Sequence, residues 1–159
     1  METIVIVAVV IVLAAIAIPS FSKFFTNATR VHCMSNMRSL HGCFASYVND
    51  VGYWPQQPDS IKPSSEQYED WWLATMRPYT GTDKIWICPA LKKADAKGMN
   101  NQTLKLHYAP TRFDANKITP YRWPTQPWLI EIGDAHGTGA LIMFPDGSIK
   151  SLQEILPSG

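Results

Sequence analysis

The chain begins with a continuous apolar segment and then changes character. Residues 4–18 are fifteen consecutive apolar side chains, rich in Ile, Val and Ala. As a helix this segment would be about 22 Å long, slightly short for a free-standing membrane span, which needs about 20 residues. A cleaved secretory signal is a poor fit, because the acidic Glu2 precedes the segment and the first lysine, Lys23, follows it. The rest of the chain has the pattern of an ordinary soluble domain.

The apolar pattern becomes periodic after Pro19. One stripe at helical spacing contains Cys33, Met37, Leu40, Phe44 and Tyr47. The helix is expected to end within residues 49–52, where a glycine can cap it. The sequence therefore predicts one helix of nearly fifty residues, apolar all round at first and amphipathic later. Pro19 removes a backbone donor and clashes with the preceding turn, so we expect it to kink or break this helix.

The remaining pattern predicts an α+β fold, with a small antiparallel β-sheet packed on the long helix. A short helix is expected at 68–77, ended by Pro78, and a polar exposed loop at 92–102. The expected extended segments are 84–88, 104–109, 127–132, 140–144 and 148–152. The last three, joined by the glycine-rich connection 133–139 and the turn at 145–147, predict an antiparallel meander.

Charge and motifs argue against several function classes. The net charge is +1, with acids and bases nearly balanced, so nothing suggests a nucleic-acid partner. The sequence has no HExxH, GxSxG, phosphate-cradling loop or CxxCH pattern, so we expect neither an enzyme nor a bound cofactor. Three cysteines allow one disulfide and one leftover thiol, and either Cys33 or Cys43 could face Cys88.

Glu2, the apolar segment and Pro19 resemble the N-terminal helix of type IV pilins and type II secretion pseudopilins. In that family a glutamate and a proline lie seventeen positions apart, as Glu2 and Pro19 do here. Family members have four residues before the glutamate, whereas only Met1 precedes it in this sequence. We therefore expect a processed chain whose first few residues were cut off or replaced.

A narrower resemblance extends over most of the chain. The matching segments are 33–40, 47–50, 52–55 and 87–89. In addition, His136 is followed by nine residues and then by Asp146 and Gly147, a His-x9-Asp-Gly motif. Together these segments resemble the pilin-like proteins abundant in planctomycete and verrucomicrobial bacteria.

The resemblance implies the ladle-like pilin fold, with 1–30 as the protruding apolar half of the helix and 31–159 as the globular domain. It also implies a structural subunit of an extracellular filament, with adhesion among its roles, or alternatively a pseudopilin in a short periplasmic piston for protein export. The implied partners are other copies of the chain, the inner membrane before assembly, a prepilin peptidase that also methylates the N-terminus, an assembly ATPase and a platform protein. Glu2 would pair with the N-terminus of a neighbouring copy and set the axial register.

Three side-chain predictions complete this interpretation. The resemblance includes both Cys33 and Cys88, and so implies a disulfide between them. His136 and Asp146 flank the same predicted hairpin, so a hydrogen bond between them, or from His136 to a loop carbonyl, is expected to fix the connection 133–139. No metal is expected, although Asp134 and Asp146 are candidate calcium ligands, because some secretion pseudopilins bind calcium in this region.

Overall fold

The computed structural model describes residues 2–96 and 104–156. Its N-terminal helix, α1, is one continuous element over Glu2–Val51, about 75 Å long at about 1.5 Å per residue. It ends where Gly52, at φ 91°, donates its N–H to the Val48 carbonyl at 3.0 Å. The predicted length and end are confirmed. Of the predicted kink or break at Pro19, the break is wrong, because the helix continues through this residue, whose fixed φ fits a helix and which removes only one donor. A kink there stays a prediction.

A small sheet and several short helices follow α1. They are α2 (Glu66–Thr80), a 3-10 helix (Asp83–Trp86), α3 (Pro89–Ala96), β1 (Tyr108–Pro110), α4 (Thr119–Arg122), β2 (Leu129–Glu131), β3 (Leu141–Met143), β4 (Ile149–Ser151) and α5 (Leu152–Ile155). The four strands form one antiparallel sheet in the order β1-β2-β3-β4. Leu129 lies opposite Met143, and Ile142 lies opposite Lys150. The α+β class and the C-terminal meander are therefore confirmed, with β1 as a fourth strand.

The second helix does not end at Pro78, contrary to the prediction. Pro78 lies inside α2, in its last turn, where the missing N–H removes a single hydrogen bond. The helix ends instead at Gly81, which adopts the left-handed conformation at φ 63° and donates its N–H to the Arg77 carbonyl at 3.1 Å. Gly tolerates this conformation because it has no Cβ.

Two predictions for the following segment are also wrong. The expected extended run at 84–88 is mostly a 3-10 helix, because the Thr82 hydroxyl accepts the Lys84 N–H at 3.3 Å and the Ile87 N–H returns to the Lys84 carbonyl at 3.2 Å. The expected polar loop at 92–102 begins inside α3, and its part beyond Ala96 lies outside the described residues.

The core lies between α1 and the elements that follow it. Cys33, Met37, Leu40 and Phe44 are fully buried, as the stripe predicts. Tyr47, its last predicted member, is only partly buried, and Val48 is fully buried beside it. Phe44 stacks on Trp54 with ring centroids 4.6 Å apart and contacts Trp72 and Trp86 at wider angles. The second half of α1 therefore forms one side of the core rather than a stalk attached to it.

Substitution of Phe44 by Ala should lower the free energy of unfolding by about 3 to 5 kcal/mol, because a fully buried aromatic ring leaves a cavity. Urea unfolding of the full-length chain in detergent micelles, followed by tryptophan fluorescence, measures this change. The control is Ser46→Ala at an exposed position of the same helix, which should stay within about 0.5 kcal/mol of wild type. Equal losses for the two variants would contradict the assigned core.

Candidate functional site

The residues expected to drive assembly lie on the first half of α1. Glu2 and Pro19 are both within this helix, but their side chains lie outside the described part of the structure. In residues 2–26, the first half of this helix, the described side chains are apolar and exposed. They are Ile6, Val7, Ile11 and Leu13.

A disulfide ties the second half of α1 to the rest of the domain. In the structure Cys33 is bonded to Cys88, with their Cα atoms 5.1 Å apart. Cys88 directly precedes α3, and its N–H donates to Nδ1 of His107 at 3.1 Å. Closing a loop of 55 residues is worth about 4 kcal/mol in the chain-entropy description of a cross-link. The pairing is the one that the family resemblance implied.

Cys43, the alternative partner, is the free cysteine. Its thiol donates to the carbonyl of Tyr79, at the end of α2, with a separation of 3.3 Å. Partial burial raises the pKa of this thiol, which disfavours the reactive thiolate at neutral pH. Cys43 therefore contacts α2, away from Cys88.

Beside the disulfide lies a buried acid and base pair. His136, in the connection between β2 and β3, places Nε2 at 3.3 Å from Oε1 of Glu131 and 3.5 Å from Sγ of Cys88. Neither side chain of the histidine–glutamate pair has any solvent exposure. The second carboxylate oxygen of Glu131 accepts the Leu141 N–H at 3.2 Å. Glu131, at the end of β2, thus contacts both the start of β3 and the histidine in the connection between the two strands.

Tyr108 closes the same cluster from the neighbouring strand. It lies opposite Glu131 in the pairing of β1 with β2, and its hydroxyl donates to the Cys33 carbonyl at 3.3 Å. Burial and then the Glu131 charge raise the pKa of Tyr108, so its hydroxyl stays protonated and remains a donor. Strands β1 and β2, the connection between β2 and β3, and helix α1 therefore all contribute to one buried polar cluster.

The predicted hydrogen bond between His136 and Asp146 is wrong. Within the described residues no hydrogen bond joins them, since His136 precedes β3 and Asp146 follows it. Asp146 Oδ1 instead accepts the Ser148 N–H at 2.8 Å. The connection 133–139 is fixed by Asp134, whose Oδ1 accepts the backbone N–H groups of His136 at 3.2 Å and Gly137 at 2.8 Å. The two calcium candidates, Asp134 and Asp146, therefore lie at opposite ends of β3 and bond locally.

The Asp146–Gly147 turn contacts α1 at a second place. Nε2 of His41 donates to the Pro145 carbonyl at 2.8 Å, and its ring stacks on Trp128 with centroids 4.7 Å apart. Gly147 adopts φ +77°, and a Cβ there would meet the His41 ring at 3.5 Å. The glycine is therefore favoured by the left-handed backbone of the turn, since a Cβ there would make only ordinary contact with the ring.

These contacts give the His-x9-Asp-Gly motif a structural meaning. The histidine end lies against the disulfide at Cys33, and the glycine end lies against His41. These two helix positions are eight residues apart, about 12 Å along α1. Strand β3, which lies between the two ends of the motif, contacts α1. The motif spacing therefore matches a strand attached to the helix at both of its ends.

Sequence reasoning missed three members of this site. Tyr108 lies in the predicted extended segment 104–109, but no polar contact was predicted for it; the other two are Glu131 and His41. Glu131 had a usable signal, because it is a single acid in the apolar β-prone segment 127–132, and a buried acid requires a partner. His41 had no such signal, since it is a polar residue beside the apolar stripe and its contact depends on a turn more than a hundred residues later.

The Asp146 turn should make a small, pH-dependent contribution to stability. Hydrogen bonds from Ser148 lower the pKa of Asp146 below its ordinary 3.8. A carboxyl with a depressed folded-state pKa stabilises the fold above the unfolded-state pKa and loses this effect as the pH falls through the folded-state value. At neutral pH the free energy of unfolding of wild type should exceed that of Asp146→Asn by less than about 1 kcal/mol, because the carboxylate is exposed.

Urea titrations across the acid range, with Asp114→Asn as an exposed control, measure this difference. The difference in free energy of unfolding between wild type and Asp146→Asn should disappear as the pH drops below about 3.8. A gap that is independent of pH would show that the carboxylate charge plays no part.

No helix in the part of the chain that the structure describes is long and apolar enough to cross a membrane. Comparisons with protein-family models, with curated proteins and with solved structures find no match to this chain.

Proposed function

We propose that this chain is a structural subunit of a type IV pilus-like filament, without enzymatic activity, and that it polymerises through the first half of α1. The observation that carries the proposal is the exposed apolar surface of that half. Four apolar side chains in this half are 56 to 62% exposed: Ile6, Val7, Ile11 and Leu13. They lie on the same fifty-residue helix whose second half is buried in the domain. Such a surface is unfavourable in water and requires lipid or other helices around it.

The size of the apolar segment supports assembly as the reason for this exposure. Burying its fifteen side chains is worth on the order of tens of kcal/mol at about 25 cal/mol per Å², before the entropic costs of association. The subunit would first lie in the inner membrane, where a prepilin peptidase would process and methylate its N-terminus. An assembly ATPase and a platform protein would then move it into the filament, where helix packing replaces lipid contacts.

The attachment of α1 to the domain also supports a load-bearing subunit. Near the proposed boundary at residues 30 and 31, Arg30 forms an ion pair with Glu154 at 3.1 Å. The Cys33–Cys88 disulfide follows within one turn. Beyond it, the buried stripe continues to Val48. The helix cannot slide out of the domain without breaking a covalent bond, which suits a ladle-like subunit under tension.

Glu2 would provide the register of the polymer. An acid at the start of an apolar helix is costly in a nonpolar environment unless it is paired. Only a neighbour aligned along the axis places its N-terminal amino group beside Glu2. A head-to-tail contact of this kind does not close on itself, so it generates an open helical filament.

A pseudopilin in a short periplasmic piston is the second interpretation, and it uses the same helix. The two differ in the length and location of the product. Long fibres on the cell surface favour the pilus, whereas short assemblies confined to the periplasm favour the pseudopilin.

Glu2→Leu should reduce surface fibres at least tenfold while leaving the amount of subunit in the membrane unchanged. The substitution keeps the helix apolar but leaves the neighbour's amino group buried without a partner, which costs several kcal/mol. Electron microscopy and immunoblots of sheared-surface and membrane fractions measure both quantities.

Asp50→Ala, an exposed acid at the other end of α1, is the matched control and should leave fibre number unchanged. Normal fibres from Glu2→Leu would contradict the register. A wild-type chain recovered only as a detergent-dependent monomer, with no fibres, would overturn the proposed function.

A further inference from the structure

The buried cluster around the disulfide contains more chemistry than a disulfide requires. Cys33, Cys88, Glu131 and His136 come from four separate segments of the chain, and all four are buried. Their potential ligand atoms, two sulfurs, one nitrogen and one carboxylate oxygen, all lie within 4.8 Å of one another. A cross-link between two cysteines needs neither an acid nor a base beside it.

The acid and base are also expensive at this position. Placing a carboxylate in the interior costs free energy unless partners compensate. Glu131 has two compensating contacts, the Leu141 N–H and the His136 ring. The histidine is less well satisfied, because within the described residues its Nδ1 is buried without a hydrogen-bond partner. The chemistry of the cluster therefore centres on the other ring nitrogen, Nε2, which lies beside both the Glu131 carboxylate and the Cys88 sulfur.

The distances in the cluster match the edges of a zinc coordination tetrahedron. With ordinary zinc–ligand bond lengths, a tetrahedral site separates its sulfur and nitrogen ligands by about 3.6 Å and its nitrogen and oxygen ligands by about 3.3 Å. The structure places Nε2 of His136 at 3.5 Å from Sγ of Cys88 and at 3.3 Å from Oε1 of Glu131. Two edges of the tetrahedron are thus already present around His136.

The edge between the two sulfurs is the one that the disulfide excludes. In a zinc site they would lie about 3.8 Å apart, which requires the disulfide to be reduced and the two side chains to rotate away from each other. Their backbone positions, with Cα atoms 5.1 Å apart, keep both sulfurs beside the histidine. The Leu141 N–H already orients the carboxylate of Glu131, as outer hydrogen bonds orient ligands in metal sites.

We propose that this cluster is a redox-dependent zinc site, in which Cys33, Cys88, Glu131 and His136 bind one Zn²⁺ when the disulfide is reduced. The disulfide and the metal are alternative states, because each uses both sulfurs. Two thiolates, one carboxylate and a neutral imidazole form a ligand set of sulfur, nitrogen and oxygen that suits zinc. The state of the cluster then depends on the redox potential of its surroundings.

The steps between the two states balance. A phosphine reductant and one water convert the disulfide to two thiols, while the phosphine becomes its oxide and the water supplies the two thiol protons. One Zn²⁺ then displaces both thiol protons as it binds the two sulfurs. A small-molecule disulfide reverses the process. Its own sulfur–sulfur bond breaks as it takes two electrons from the protein thiolates and leaves as two thiolates, while the protein disulfide re-forms and the metal is released.

The test uses the full-length chain in detergent with the substitution Cys43→Ser, which removes the free thiol but leaves all four proposed ligands. The protein is reduced with a phosphine, freed of reductant without oxygen, and titrated with Co²⁺ as a spectroscopic probe. We expect binding of one Co²⁺, thiolate-to-cobalt charge-transfer absorption and the visible bands of a tetrahedral site. Equimolar Zn²⁺ should abolish this spectrum, and the oxidised protein should not produce it.

Two substitutions test the ligands that are not sulfur. Glu131→Gln and His136→Gln should each weaken Co²⁺ binding at least about tenfold and change the visible bands. Asp134→Asn is the matched control, since this acid contacts the backbone of the same loop but is not a proposed ligand. It should leave the cobalt spectrum unchanged.

If these variants do not fold, the proposal can still be tested on the protein that keeps all four ligands. Zn²⁺ should protect Cys33 and Cys88 of the reduced protein from alkylation, as mass spectrometry of the labelled chain would show. Absence of the charge-transfer band, absence of protection, or unchanged cobalt binding in folded Glu131→Gln and His136→Gln would overturn the proposal. Such a result would leave the proposed filament function untouched, because assembly depends on the other half of α1.

Discussion

The packing of one stripe of α1 against the later elements is the interaction on which the rest of the structure depends. Helices α2 and α3, the 3-10 helix and strand β3 all contact α1. Each strand has three residues, and a sheet of such short strands gains little stability from its own pairing. The sheet therefore relies on α1 to cover its inner face, where Leu129, Leu141 and Met143 are fully buried.

This dependence gives one helix two different environments. Its second half is the amphipathic wall of a folded domain, while the described side chains of its first half are apolar and exposed. The disulfide at Cys33 lies close to the change from one environment to the other. If the chain forms a filament, a force applied to the first half passes into the domain at a covalent cross-link and a buried polar cluster.

The sequence predicted those features that depend on local periodicity. The length of α1, its buried positions from Cys33 to Phe44 and the C-terminal meander all follow from spacing and turn residues. The 3-10 helix at Asp83–Trp86 and the continuation of α2 past Pro78 were not predicted. In both cases one or two backbone hydrogen bonds at a segment end outweigh the average preference of the residues.

The candidate site was predicted only in part, because its decisive contacts join distant segments. The cysteine pair came from a family resemblance and not from spacing. Glu131 and His136 are only five residues apart, but the contact of His136 with Cys88 across 48 residues depends on how the sheet docks on α1. Asp146 was paired with the wrong partner because two ends of one hairpin were assumed to approach each other, whereas a strand holds them apart.

The attachment of β3 to α1 at both ends also constrains the order of folding during synthesis. The segment that covers Cys33 and His41 contains residues 136–147, which are synthesised about a hundred residues after both helix positions. Until then the stripe on α1 lacks its cover, and the sheet lacks the strands that complete it. Contacts between segments far apart in a chain form slowly and leave apolar surface open to aggregation. An early membrane attachment of the first half of α1 would keep the unfinished domains of different chains apart.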